Sequence, residues 1–449
     1  MHTSDWHAVL TYVVFGSVIL AIAFDVMDMA LAALLGVSLL SLFGIFTGKD
    51  VQDVTATLRG PLALLFGGMV VARMISTTGI FDNIGARFLI FTKGSGRRFL
   101  VGLVFLVAAP CAFLPNATTV ILIAPIIIRV AKALDVDFIG PMVLAVIVSN
   151  SAGLLTLVGD PATFLIGSSI GMTFMQYLMR VSLGGLCALL VILFLMPFVL
   201  RDVWNVRRDL PSDLKPEPIR QPVFTFVSLL VLGFMVLLFL FGEQLPVHVL
   251  PPSVAIIAAT LSLLVIYEWK IDSVEKVLKD VDWKTLIFLA CLFFLVQAFT
   301  KTGILQRLSV QLHMWFGTNL LLIAMVMIFG IAFASGFLAN IPIVAAMILL
   351  LKGYFVEAEL VSEYAMAATF TDWPEATLPV FVAMMFGATL GGNATLIGAS
   401  ANVVGAGICA ANGRPLKFMT FLRYGVPVTA CQLIVAALYV IGLRFVLGH

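Results

Sequence analysis

Three short motifs occur twice along the chain, in the same order. Thr78-Gly79-Ile80 returns as Thr302-Gly303-Ile304, and Leu114-Pro115-Asn116 followed by Val120 returns as Leu338-Ala339-Asn340 followed by Val344. Both pairs are offset by 224 residues, half of the 449-residue length. Thr156-Leu157-Val158-Gly159 returns as Thr395-Leu396-Ile397-Gly398 at an offset of 239. Polar, helix-breaking motifs at matching places inside apolar sequence restrict the chain to two copies of one helical unit, the plan on which secondary transporters are built.

The surroundings of these motifs fix the solvent. Hydrophobic residues make up 61% of the chain and charged ones 11%, too few to cover a soluble body of this size. Val223 to Phe241 is apolar but for Thr225, Ser228 and Gly233, matching the roughly 20 residues of a membrane-crossing helix. The chain reads as an all-α polytopic protein of the lipid bilayer, with no room for a sizeable soluble domain. A net charge of +2 says little about partners, and nothing points to nucleic acid. Met1-His2-Thr3-Ser4-Asp5 has neither a basic region nor a cleavage site, so no removable signal peptide is expected. Cys111, Cys187, Cys291, Cys409 and Cys431 are scattered without CxxC spacing, so no disulfide framework, metal site or cofactor is expected.

Charged positions divide the chain into candidate spans at about 9–24, 29–46, 61–77, 139–172 (interrupted), 179–200, 223–241, 249–267, 285–299, 378–410 (interrupted) and 424–446. Two stretches do not fit. Phe99 to Ile128 runs 30 residues without charge and Met314 to Leu351 runs 38, each with a polar break near its middle. Two half-length helices meeting at a polar tip would make each a re-entrant hairpin, tolerated at membrane depth where it is buried in protein or faces a watery cavity. With the N- and C-termini outside, the four most basic connections fall in the cytoplasm: Lys93/Arg97/Arg98, Arg201/Arg207/Arg208/Lys215/Arg220, Lys270/Lys276/Lys279/Lys284 and Arg414/Lys417/Arg423. Asp25 and Asp28 fit least, an acidic cytoplasmic turn without basic company. Five crossings per half make the halves inverted: 1–200 and 223–449, joined by a proline-rich cytoplasmic linker at 201–222.

Asp160 stands out among the candidate site residues. It is the one charge between Asp137 and Arg180, and an acid at membrane depth costs roughly 2.5–3.5 kcal/mol on insertion scales. Such a carboxyl suits proton coupling; equally, it can cap a half-helix that opens with Pro161. Ser149, Asn150, Ser151, Thr156 and Thr163 surround it, and the other half offers Asn393, Thr395, Ser400 and Asn402. Small hydroxyl and amide residues amid Val, Leu and Ile suit unwound stretches that line a site, or close helix packing. The tips supply Asn116, Thr118, Thr119 and Asn340, which can meet a solute or tie off their own hairpins. Arg73 and Arg129 read as snorkelling or backbone-paired.

Gly387 to Val404, with Gly391-Gly392-Asn393-Ala394-Thr395-Leu396-Ile397-Gly398, resembles the second signature of the ArsB/NhaD/P-protein branch of the ion transporter superfamily. Ser149 to Ser168, with Leu157-Val158-Gly159-Asp160-Pro161, resembles the first. The resemblance implies an inverted-repeat, elevator-type transporter with a scaffold and a moving transport domain. Members export arsenite or antimonite, exchange sodium for protons, or move carboxylates. Here Pro115 and Ala339 stand where many relatives carry an acid before the tip asparagine, and no basic residue lies in either interrupted span. A mostly neutral site with one carboxyl suits As(OH)₃ or Sb(OH)₃ driven out across the cell's inner membrane in exchange for protons, as in an ArsB-like arsenite permease. A sodium/proton antiporter, a sodium-coupled anion carrier, and a channel-like subunit of a pump with a separate cytosolic ATPase remain alternatives, as does a homodimer. The chain has no Walker A sequence and no nucleophile–base pair, so it does not read as an enzyme. Motion is expected of 99–172 and 320–410 together, against 9–77, 179–267 and 424–446, about the connections 78–98 and 300–318.

Overall fold

The computed structural model describes residues 3–23, 26–209, 219, 221–338, 340–366 and 370–447. The expectations for both termini, for Asp25, for Ala339 and for linker positions 210–218 and 220, Lys215 and Arg220 among them, lie outside these residues. The described residues form helices, with no strand beyond an isolated antiparallel bridge between Ser95 and Arg207.

The first half opens with α1 (Thr3–Ala23), α2 (Met29–Leu42) and α3 (Gly48–Thr77), followed by α4 (Ile80–Thr92). A hairpin of α5 (Gly96–Cys111) and α6 (Asn116–Ala133) precedes the interrupted pair α7 (Ile139–Ala152) and α8 (Pro161–Ser169). α9 (Phe174–Tyr177) runs through a π-helical turn into α10 (Leu183–Val199), and α11 (Arg201–Trp204) closes the half. The second half follows with α12 (Pro222–Phe241), α13 (Pro251–Glu268), α14 (Val274–Lys279), α15 (Trp283–Lys301) and α16 (Ile304–Phe316). Its hairpin is α17 (Leu320–Ser335) and α18 (Asn340–Glu357), its interrupted pair α19 (Leu378–Gly391) and α20 (Ser400–Ala411), and its last helix α21 (Phe418–Val446). Among the described residues seven segments are long and apolar enough to cross a membrane; the pair Gln306–Phe316 and Leu320–Ser335, bent by 119°, makes eight if taken as one span.

Local chemistry sets the boundaries. The span expected at 61–77 is part of a helix that begins at Gly48, because Thr47 and Asp50 form a capping box there and Pro61 is absorbed into the helix interior. Pro161, Pro222 and Pro251 sit at the first turns of α8, α12 and α13, where a missing N–H costs nothing. Gly79 and Gly303, the glycines of the first repeated motif, both adopt the left-handed conformation (φ +69° and +70°) and turn the chain into the surface helices α4 and α16.

Two groups of helices can be told apart by their main contacts, with a shared apolar core running between them. α3 lies on α13 and α15, with α2 and α1 against α15 and α12 against α13. The hairpins and interrupted pairs form the other group, α6 against α7 and α20, α5 against α7, α17 against α19, and α18 against α8 and α19. α10 and α21 belong with this second group, against the grouping expected from sequence. They pack on each other and on α7 and α19, and glycine is what brings them so close. A Cβ at Gly185 of α10 would stand 2.9 Å from the Leu154 carbonyl, and one at Gly425 of α21 would stand 2.8 Å from the Ala394 carbonyl.

Ion pairs tie loops to one another across the chain. Asp28 pairs with Lys284, which supplies the basic company the sequence lacks locally. Arg73 pairs with Asp272 at 3.0 Å and Asp280 at 2.8 Å, a salt-bridge role rather than the snorkelling expected of it. Arg208 pairs with Asp135 and Arg414 with Asp137, while Lys301 pairs with Asp50 and Arg180 with Glu375. Each of these pairs joins segments that the charge pattern assigns to one face.

Candidate functional site

The interruptions are built twice on one plan. α7 ends at Ala152 and α8 starts at Pro161; α19 ends at Gly391 and α20 starts at Ser400. Each break folds tightly on itself through a glycine pair: a Cβ at Gly159 would stand 2.9 Å from the Gly153 carbonyl, and one at Gly398 would stand 2.7 Å from the Gly392 carbonyl. Each is fastened to the tip of its hairpin by a threonine. The Thr156 hydroxyl donates to the Ala112 carbonyl, and the Thr395 hydroxyl donates to the Gly336 carbonyl. These bonds satisfy carbonyls that the hairpin turns release from helical pairing. Asn116 lies beside Gly153, and Asn340 lies beside Gly392 while accepting from Ser335 at 2.6 Å.

Between the breaks runs a buried amide network. Asn150 donates to Asn393 (3.1 Å) and to Asn402 (2.9 Å) across the two halves. Asn393 donates to Ser151 (3.0 Å) and to the Gln432 side-chain oxygen (3.0 Å). Asn402 donates to the Gly392 and Thr395 carbonyls at 2.8 and 2.7 Å. Gln432 donates to Ser151 (2.9 Å) and to the Ala188 carbonyl (3.0 Å). Every amide proton of these four side chains is therefore engaged inside the protein, which suits a joint between helices.

Asp160 is 7% exposed and sits at the N-cap position of α8, yet its side chain makes no capping bond. One carboxyl oxygen accepts from the Thr389 hydroxyl of the other half at 3.1 Å. Thr163 donates to the Asp160 carbonyl at 2.8 Å, Ser149 to Val146 and Ser151 to Ile147, each at 2.8 Å within its own helix. At the first tip, the buried Asn116 Oδ1 and Thr119 Oγ1 have no hydrogen-bond partner among the described residues. Buried acceptors in that state are rare and mark a place where a further polar group fits. Thr118 is half-buried, and Ser400 is exposed, apart from the network. A small cleft lies between α3 and this tip, lined by Pro61, Gly68, Pro115, Val158, Gly159 and Phe164 among others.

Residues 19–371 match the model of the family described as citrate transporter, CitMHS. The chain belongs to the citrate transporter family. An uncharacterized transporter of Synechocystis is 42% identical over 433 residues, 96% of either chain. One from Mycobacterium bovis is 31% identical over 452 residues, 98% of this chain and 100% of its own. The human P protein is 28% identical over 512 residues, 95% of this chain and 59% of its own, in keeping with the P-protein part of the resemblance. The crystal structure of the Alcanivorax borkumensis YdaH transporter superposes with a TM-score of 0.61 at 13% identity, over 89% of this chain and 88% of that one, and so shares its fold. As a member of the citrate transporter family the chain is a multi-pass membrane transporter.

Sequence reasoning missed three contributors: Gln432, Thr389 and Ser335. Gln432 carried a usable signal, an uncharged amide inside the apolar run of α21, comparable in kind to Asp160 in its own stretch. Thr389 and Ser335 carried none, since single hydroxyls recur throughout such helices.

Proposed function

We propose that this transporter is a secondary active carrier whose halves, 1–200 and 223–449, are inverted repeats about the linker 201–222, each with one re-entrant hairpin. The reading rests on one observation above all, the twice-built break: a helix interruption fastened to its hairpin tip by Thr156 or Thr395, with the Asp160 carboxyl between the halves. The solute meets the tips, Asn116, Thr118, Thr119 and Asn340, and the break residues beside them. Asp160 takes a proton on one side of the membrane and releases it on the other. The paired breaks, the hairpins, α10 and α21 travel as one body past α1–α3 and α12–α15, in an elevator motion with the basic loops cytoplasmic.

The chemistry favours a small neutral hydroxylated solute, arsenite or antimonite in its uncharged form, exported from the cell against protons. Amides and hydroxyls pair with such O–H groups, and neither interrupted span holds a Lys or Arg to neutralise an anion. A second reading, a carboxylate carrier, is favoured by the citrate transporter family model. In that case the N-termini of α6, α8, α18 and α20 supply the partial positive charge. Purified protein in vesicles, with pH and sodium gradients imposed separately and arsenite or citrate supplied, separates these readings. Proton-driven arsenite flux supports the first and gradient-driven citrate flux the second. Flux of either that ignores both gradients means a pore and sinks the carrier.

A further inference from the structure

Gln432 lies in α21, outside the three repeated motifs, and is fully buried. Its side chain joins two other helices and the second break at once. The amide nitrogen donates to Ser151 Oγ on α7 and to the Ala188 carbonyl on α10, and the amide oxygen accepts from Asn393 Nδ2 at the second break. Ser151 in turn receives Asn393 as well, so one hydroxyl of the first half holds both a break residue and α21 of the second. Gly425, seven residues earlier on the same helix, lets α21 approach the Asn393 and Ala394 carbonyls.

We infer that Gln432 is a positioning residue, which holds the two breaks in register with each other and couples α10 and α21 to them. The inference builds on the proposed carrier site, where Asp160 and Asn116 lie beside Gly153 of the first break and Asn340 beside Gly392 of the second. Gln432 does not touch the solute. It acts through Ser151 and Asn393, next to Asn150, which bonds Asn393 and Asn402 across the halves, and Asn402 in turn holds the second break's backbone. A side chain of equal length without hydrogen bonds leaves the Asn393 amide and the Ala188 carbonyl unpaired in the interior, and the breaks then shift to find partners.

Gln432→Met keeps the volume and removes all three bonds; Gln432→Glu keeps the length and the acceptor but sets an oxygen against the Ala188 carbonyl. Both are compared with the parent protein by hydrogen exchange in detergent and by uptake into vesicles supplied with arsenite or citrate. Gln432→Met is expected to raise exchange at 151–160 and 392–399 together, while α3 and α13 keep their protection. For whichever probe the parent transports, KM is expected to rise by about tenfold, as for one hydrogen bond lost to a buried group, with kcat within about twofold. Gln432→Glu is expected to show the same pattern in weaker form. Asn393→Ala combined with Gln432→Met is expected to cost no more than the worse single change, the signature of one shared interaction. Exchange that rises evenly over all helices, or unchanged KM in both variants, overturns the inference and leaves a packing residue. Failure of the parent to move either probe counts against the proposed substrates alone, because the exchange pattern reads the register without a solute.

Discussion

Asp160 is isolated in sequence, and among the described residues its side chain accepts from the Thr389 hydroxyl of the other half rather than pairing with a cation. Asp160→Asn keeps shape and size but cannot exchange a proton. It is expected to abolish proton-driven uptake while solute-for-solute exchange persists, measured in vesicles with and without an imposed pH gradient; full proton-driven uptake would remove the coupling role. Thr389→Val removes a bond to a charged acceptor, worth about 1.5–3 kcal/mol, and is expected to weaken coupled uptake less than Asp160→Asn does. Outside the membrane, the hydrogen bond from Lys276, with Arg73 close by, holds the Asp272 carboxyl below the ordinary carboxylate range, although burial opposes this. A carboxylate depressed in this way stabilises the fold in full above about pH 4 and loses that contribution as pH falls through its lower folded value. Hydrogen exchange over 272–280 is therefore expected to quicken on acidification, and Asp272→Asn is expected to show fast exchange already at neutral pH.

At the scale of helices and turns, the sequence carried a good deal. The polar interruptions inside charge-free stretches foretold where α5 gives way to α6 and α17 to α18, and both breaks, because a helix that stops in an apolar medium needs side chains to satisfy its freed backbone groups. The charged residues up to Arg59 put the expected start of this span at 61, whereas the helix runs on from Gly48 with Pro61 inside it, packed on α13. Asn150 and Asn393 were legible as candidates, but their pairing with each other and with Gln432 was not, because α7, the second break and α21 meet only in the folded chain. Two element-scale expectations follow. Gly79→Ala and Gly303→Ala place a Cβ in left-handed backbone at about 1–2 kcal/mol, and each is expected to lower kcat with little change in KM if the surface helices swing at those glycines. Thr156→Val and Thr395→Val each unpair a hairpin carbonyl, a loss of about 1–3 kcal/mol, and are expected to lower the melting temperature to similar degrees. A large effect from one and none from the other would break the parallel between the halves.

Across the whole molecule, two packed groups meet along few surfaces, chiefly α3 against α6 and α8 and α15 against α18. The ion pairs join loops that the charge pattern assigns to one face, and α10 and α21 pack on the interrupted pairs through glycine contacts that hydropathy does not encode. A boundary of this kind either slides during transport or stays fixed. Gly60 on α3 faces Phe164 on α8, with its Cβ direction 3.2 Å from the ring. The decisive measurement is turnover of Gly60→Cys/Phe164→Cys protein, in a background without the five native cysteines, before and after linkage by a short reducible thiol cross-linker. Sliding predicts that linkage stops solute flux and that reduction restores it, with each single-cysteine protein unaffected. Undiminished flux in fully cross-linked protein would contradict a moving body and leave the solute to pass through a fixed frame.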